Sequence, residues 1–245
     1  MKLLIFTAAL ALGLLTPQSP SLENILERVS GNVQELQTEL PDYFCNERLV
    51  KTPGPRMRLA ETHTTQGIVR AVRTARGSLQ VSREIQSVPG KTTAAELIGM
   101  QIEDLVRVFA KDSLVINNYK LAGQQDFRKI PAFVIEFATK EGQTAGHRGG
   151  VLSQNGDPAH TFSGKAWIAR DSMQVMRLEF VEKFPPAKSG PTIKTVADYN
   201  PVNIGGAQYW LLTKIVKTDT GGFEWLGEYS NCRKYEVSTQ IKPIP

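Results

Sequence analysis

The sequence predicts an α+β fold that is mostly β: a curved antiparallel sheet of about ten strands with two amphipathic helices lying across one face. Three observations carry this. Both segments with helical apolar periodicity lie in the first half of the chain. The remainder is a succession of short Val-, Ile-, Leu- and Thr-rich segments separated by Gly- or Pro-rich breaks with no helix between them, which favours an antiparallel meander over βαβ units. About ten strands in one twisted sheet must curl or split, and a partly closed barrel covered by two early helices satisfies both constraints.

The chain opens Met1-Lys2 and runs apolar from Leu3 to Leu15 before breaking at Thr16-Pro17-Gln18-Ser19-Pro20. One positive charge, an apolar run and a proline-bearing polar exit describe a secretory signal peptide over residues 1–20. The run is shorter than the roughly twenty residues that a membrane-crossing helix needs. Because no clear small-x-small cleavage site precedes Pro20, an uncleaved N-terminal anchor is the alternative. Residues 21–245 then read as one β-rich domain.

In that domain Leu22, Ile25, Leu26, Val29, Val33, Leu36 and Leu40 recur at three- and four-residue steps, one apolar stripe on a helix. Ser19 or Ser21 can cap its start, and Pro41 lies just past its end. A second helix is expected from about Ala94 to Ala110, with Thr93 and Glu96 as a capping box. Strands are expected near 44–50, 66–74, 78–87, 114–120, 130–139, 162–170, 173–183, 192–200, 207–218 and 223–240. Phe133, Ile135 and Phe137 would share one strand face, and Met176, Leu178 and Phe180 another. The longest stretch without a pattern, 141–161, reads as a loop.

Lys and Arg number 29 against 24 Asp and Glu, a net charge of +5; losing Lys2 with the leader would leave +4. That excess is spread thinly, with no basic stripe of the kind nucleic acid requires, so nucleic-acid binding is excluded. The two cysteines, Cys45 and Cys232, lie 187 positions apart. In an exported chain they most economically form one disulfide, the alternative being two buried thiols; the spacing rules out CxxC chemistry.

The stretch Gly164 to Glu179 (GKAWIARDSMQVMRLE) resembles the strand-turn-strand hairpin of the periplasmic lipoprotein-carrier superfamily, the LolA/LolB-like half-barrels. There a glycine precedes a strand reading W-[IV]-D, and after a turn comes a strand reading roughly V-x-R-[LI]-E. Trp167, Arg177, Leu178 and Glu179 match, while Ala169 stands where that family has Asp. The segments around Cys45 (LPDYFC) and Cys232 (NCRKY) are similar to uncharacterised exported bacterial proteins of this fold type. The resemblance implies a half-barrel with helices packed in its concavity and lipid or acyl chains as ligands there. The missing Asp and the absence of a lipobox argue against a dedicated lipoprotein-sorting carrier.

Reactive chemistry is sparse. His63, His147 and His160 have no carboxylate or cysteine at metal-ligand spacing, and two of them fall in the 141–161 loop. No G-x-S-x-G elbow occurs, and Gly149-Gly150 does not sit between a strand and a helix. No catalytic residue, metal or cofactor is therefore expected. The residues expected to line an apolar cavity are Phe133, Ile135, Phe137, Trp167, Met176, Leu178 and Phe180, with Tyr209, Leu211, Trp225 and Tyr229 as further strand-face apolar groups. The same faces would equally serve as plain core under two helices. The expected partner is a lipid or acyl chain, the alternative an envelope protein contacting a scaffold; the sequence leaves the oligomeric state open.

Overall fold

The first apolar stripe forms helix α1 (Leu22–Glu39) because it buries Ile25, Val29 and Val33 along one side. Ser21 caps the helix, its hydroxyl accepting from the Asn24 N–H at 3.2 Å. The computed structural model describes residues 20–54, 61–74, 79–87, 105–141, 161–183 and 192–236. The leader, most of the second expected helix and the 142–160 segment with His147 and His160 lie outside these residues.

Ten strands follow: β1 (Tyr43–Pro53), β2 (His63–Arg73), β3 (Leu79–Ser87), β4 (Asn117–Phe127), β5 (Ile130–Thr139), β6 (Thr161–Ala169), β7 (Val175–Lys183), β8 (Thr192–Ile204), β9 (Ala207–Asp219) and β10 (Phe223–Lys234). They form one antiparallel sheet in the order β3-β2-β1-β10-β9-β8-β7-β6-β5-β4, open at β3 and β4. The expected α+β half-barrel is thus the fold found.

Two boundaries differ from the sequence reading. At the end of the expected second helix, residues Leu105–Phe109 form a 3-10 turn that buries Val106, Val108 and Phe109, followed by a single helical turn, α2 (Ser113–Ile116). The strand expected at 114–120 is therefore β4, displaced to Asn117–Phe127. Its second half, Gly123-Gln124-Gln125-Asp126, has no strand-like composition. It is extended because an edge strand takes its hydrogen bonds from its neighbour, here β5, and its outer face stays wet.

The consecutive hairpins β1–β2–β3 and the meander β4 to β10 meet at one seam, where the first strand pairs with the last. β1 and β10 run antiparallel from Tyr43 opposite Lys234 to Pro53 opposite Phe223. Cys45 and Cys232 are joined by a disulfide at this seam, with Cα atoms 4.1 Å apart. The register shifts there between Phe44 and Asn46, and Asn231 takes a positive φ of 51°, so the bond sits at a bulge in β10. Just beyond it, the Tyr235 N–H donates to the Asp42 carbonyl at 2.7 Å.

The main core lies on the concave face. There Ile25, Val29, Val33 and Leu40 of the α1 region pack on Tyr43, Cys45, Val69, Ile135, Ile168, Leu178, Tyr199 and Leu211. Polar clamps fix α1 over the strand ends. Asn32 Nδ2 donates to the Ser172 and Met173 carbonyls in the β6–β7 turn, both at 2.9 Å. Arg73 donates to the carbonyls of Gln37 and Leu40 at 3.0 and 2.7 Å.

Closing a loop of 187 residues is worth up to about 4–5 kcal/mol in the chain-entropy account. Reduction, or Cys45→Ala with Cys232→Ala, is expected to lower the thermal midpoint by roughly 10 °C. Differential scanning calorimetry with and without reductant checks this; an unchanged midpoint contradicts it.

Candidate functional site

Period-two alternation decides which side chains face the concavity. In β5 these are Phe133, Ile135 and Phe137, all nearly or fully buried. In β7 they are Val175, Leu178 and Phe180. Five of the seven expected cavity residues are therefore on the concave face: Phe133, Ile135, Phe137, Leu178 and Phe180. Trp167 and Met176 are not. Trp167 lies between Ala166 and Ile168, which are core residues, so alternation turns it outward. Met176 is the extra residue where the β6–β7 register shifts, with Trp167 opposite Arg177 and Ile168 opposite Val175. The bulge moves Met176 away from Leu178 into a second cluster with Ala132, Ala169, Phe127, Trp167 and Trp210. There the Phe127 and Trp167 ring centroids are 5.8 Å apart, and the guanidinium groups of Arg128 and Arg177 lie 4.9 and 5.1 Å from the Phe127 ring.

Cross-strand register sorts the concave face into levels. One level is apolar across eight strands: Leu49, Gly227, Ile215, Ala197, Leu178, Ala166, Ile135 and Leu121 are successive partners. The level farther from α1 is mixed. It runs Lys51, Trp225, Lys217, Thr195, Phe180, Gly164, Phe137 and Tyr119. Its β4–β7 half is aromatic: centroids of Phe109 and Phe137 lie 6.1 Å apart, Phe137 and Phe162 5.9 Å, and Phe162 and Phe180 6.4 Å. Gly164 permits this packing, since a Cβ there would stand 2.1 Å from the Glu179 carbonyl oxygen and 2.5 Å from Phe180 Cβ.

The β8–β10 and β1–β3 half carries ionisable groups that sequence reasoning missed. Glu47 is 4% exposed, and the Arg83 Nε–H donates to both its carboxylate oxygens at 2.8 and 2.9 Å. Burial pushes the Glu47 pKa up, with Arg83 offsetting only part of the effect. Tyr229, the register partner of Glu47, is buried, and burial and then the Glu47 carboxylate hold its hydroxyl protonated. That hydroxyl leans along β10 over Gly227, 3.3 Å from where a Cβ would stand. Lys217 lies opposite Thr195; burial lowers its pKa, Glu182 partly restores it and Arg83 lowers it further. Glu182 and Thr195 are buried at 8% and 0% exposure.

A signal for this set was present in the sequence. Glu47 has the parity of Cys45 and Leu49, Arg83 that of Val81 and Ile85, and Lys217 that of Ile215. Each stands at an inward position of its strand. His63 begins β2, away from any cluster that could hold a metal; among the described residues no group of three His, Cys, Asp or Glu is so arranged.

Two spaces lie among the described residues. Between α1 and the sheet, among Val29, Val33, Leu36, Val106, Met173 and Trp210, the void is about 10 Å³, close to the smallest that admits one water. Among these described residues α1 packs closely on the sheet. On the opposite, convex side an open depression of about 450 Å³ lies over Asn118, Ala138 and Ser163, flanked by Lys120, Glu136 and Lys165. Its ion pairs, Lys165 to Glu136 at 3.0 Å and Lys120 to Glu136 at 3.9 Å, are exposed and contribute little.

No protein-family model matches the chain, and no curated protein matches it. Several solved structures are similar over most of both chains. A DUF1329 family protein from Desulfovibrio piger is 11% identical over 89% of this chain and 94% of its own, at a TM-score of 0.46. A LolA superfamily protein from Nitrosomonas europaea is 12% identical over 88% and 94%, at 0.39. An outer membrane lipoprotein-sorting protein domain from Vibrio parahaemolyticus is 11% identical over 89% and 95%, at 0.44. Likenesses of this depth assign no ligand to the chain.

Removing Arg83 would leave Glu47 buried without its partner. Arg83→Met is therefore expected to cost about 3–5 kcal/mol at pH 7. For an acid whose folded pKa is raised, stability is full below the unfolded value of 4.5 and lost as pH rises through the folded value. The deficit of Arg83→Met should accordingly shrink below about pH 4.5, and Glu47→Leu with Arg83→Met should recover most of it at pH 7. Urea unfolding across pH measures both; a deficit that is independent of pH contradicts the assignment.

Proposed function

We propose that the chain is an exported, non-catalytic binding or carrier protein for a lipid-like or other amphipathic ligand, held on the concave face of the half-barrel. The observation that carries this reading is the composition of that face. A continuous apolar level and an aromatic wall, Phe137–Phe162–Phe180, adjoin buried polar groups on β1, β7, β8 and β10. A ligand with an apolar body and a polar end matches such a surface, because apolar walls supply affinity and a few placed polar groups supply orientation. The leader-like residues 1–20 and the Cys45–Cys232 disulfide support an extracytoplasmic site of action. Binding is non-covalent in this reading.

A second reading rests on the convex side. The Phe127–Trp167 pair, bracketed by Arg128 and Arg177, is the kind of aromatic and arginine cluster that protein interfaces use, and would suit an envelope scaffold without a small ligand.

Mass spectrometry of organic extracts separates the two. Protein purified from an exporting host should yield a reproducible acyl-chain species at near one-to-one stoichiometry, lost in Leu178→Asp. A clean extract, together with no binding of an environment-sensitive apolar fluorophore, would overturn the carrier reading in favour of the scaffold.

A further inference from the structure

The turn between β4 and β5 is held in a conformation that its residues adopt only at a cost. Phe127 pairs with Ile130, so the loop between them has two residues, and both have positive φ: Arg128 at 53° and Lys129 at 65°. A two-residue turn of that shape favours Asn-Gly, because larger side chains crowd the backbone there. Arg128 has a task within the fold, since its guanidinium pairs with Asp198 at 2.8 Å and donates to Asn200 Oδ1 at 2.9 Å. Lys129 has no such partner among the described residues. Beside it stands Ile130, 40% exposed, one of two large apolar side chains left in solvent among the described residues. The fold thus gives no account of a strained, solvated lysine next to a solvated isoleucine, and strain of this kind points to a function.

The surroundings of the turn are cationic and aromatic. The Arg170 N–H in the β6–β7 turn donates to the Pro131 carbonyl at 2.9 Å, which sets that half-exposed arginine alongside. Behind Ile130 on the convex side lie its register partner Phe127 and then Trp167, with Arg128 and Arg177 against the Phe127 ring. The nearby acids are Asp171, 3.9 Å from Arg170, and Asp126, which has the parity of the concave side. We propose that the β4–β5 turn is a membrane-docking tip that seats on an anionic phospholipid bilayer. Lys129 and Arg170 meet the phosphates, and Ile130 enters the layer beneath them. An anionic surface attracts exposed lysine and arginine, and aromatic rings flanked by arginine suit the head-group level. The shape favours a bilayer over a protein. A stable protein interface buries roughly 800 Å² per partner, whereas a two-residue turn with one apolar side chain presents a point, around which a bilayer surface yields. The inference is independent of what the concave face holds.

The test is flotation of protein purified from an exporting host with two kinds of vesicle: phosphatidylglycerol and phosphatidylcholine in equal parts, and phosphatidylcholine alone. The wild-type chain should partition to the mixed vesicles about tenfold more strongly, and lose most of that preference at about 0.5 M salt. Lys129→Glu and Ile130→Ser should each lower partitioning to the mixed vesicles about fivefold. Lys129→Gly separates docking from folding, because glycine relaxes the turn: its thermal midpoint should hold or rise while vesicle binding falls. Val115→Ser, which removes the other exposed apolar side chain just before the opposite end of β4, should leave binding unchanged. No vesicle binding, or equal partitioning to both kinds, would overturn the proposal. Undiminished binding by Lys129→Gly and Ile130→Ser, or an equal loss in Val115→Ser, would do the same. Each of these results leaves the carrier reading standing.

Discussion

The pairing of the first strand with the last is the constraint on which the rest of the structure depends. Among the described residues, the sheet joins β1–β3 to β4–β10 through the β1–β10 ladder alone. Neither part alone presents the concave face described here, because Glu47 comes from β1, Arg83 from β3, and their neighbours Tyr229 and Lys217 from β10 and β9. Contacts between segments so far apart in sequence carry a large loop-closure cost that local hairpins do not. The disulfide spans that same seam, where a bulge at Asn231 interrupts the regular register. Hairpins supply the local order, and one covalent link secures the single non-local join between the two groups of strands.

With the seam in place, the two halves of the face differ in chemistry because different strands build them. Strands β4–β7 contribute Phe137, Phe162, Phe180, Ile135 and Leu178, an apolar wall. Strands β1, β3 and β7–β10 contribute Glu47, Arg83, Glu182, Thr195, Lys217 and Tyr229 at corresponding inward positions. Glu47 is bonded to Arg83 and Glu182 acts on Lys217, and burying even paired ionic groups gains little stability over apolar packing of similar volume. Core packing would have favoured apolar residues at all of these positions. The opposite face balances its charges differently, with Arg177 bonded to both Asp198 oxygens at 2.7 and 3.1 Å and Arg128 added at 2.8 Å. Arg128 and Arg177 lie nearer to solvent than Glu47 and Arg83 do.

Much of this was legible in the sequence. The three- and four-residue spacing of Ile25, Val29 and Val33 specified α1, alternation in Phe133-Val134-Ile135-Glu136-Phe137 specified β5, and two cysteines in a chain with a leader-like start specified the bond. What escaped has identifiable causes. Trp167 was grouped by hydrophobicity when its parity with Lys165 and Ala169 already turned it outward. Met176 could not be placed, because a bulge is a property of two strands in register and is not written in either one. The far half of β4 has an unremarkable polar sequence and is a strand only because β5 is beside it. The ionisable cluster was the reverse case. Its members occupy inward positions that alternation reveals, yet they are polar residues at sites where burial is improbable on composition alone.

The most direct test of the central claim, that the concave face holds an acyl chain, is photo-crosslinking with a diazirine-bearing fatty acid followed by peptide mass mapping. Away from the bulges the two faces alternate residue by residue along each strand, so single-residue mapping distinguishes them. Adducts on Phe137, Phe162 and Phe180, competed away by oleate, are the predicted result. Adducts concentrated on Phe127 and Trp167 would place the chain on the convex cluster and contradict the account.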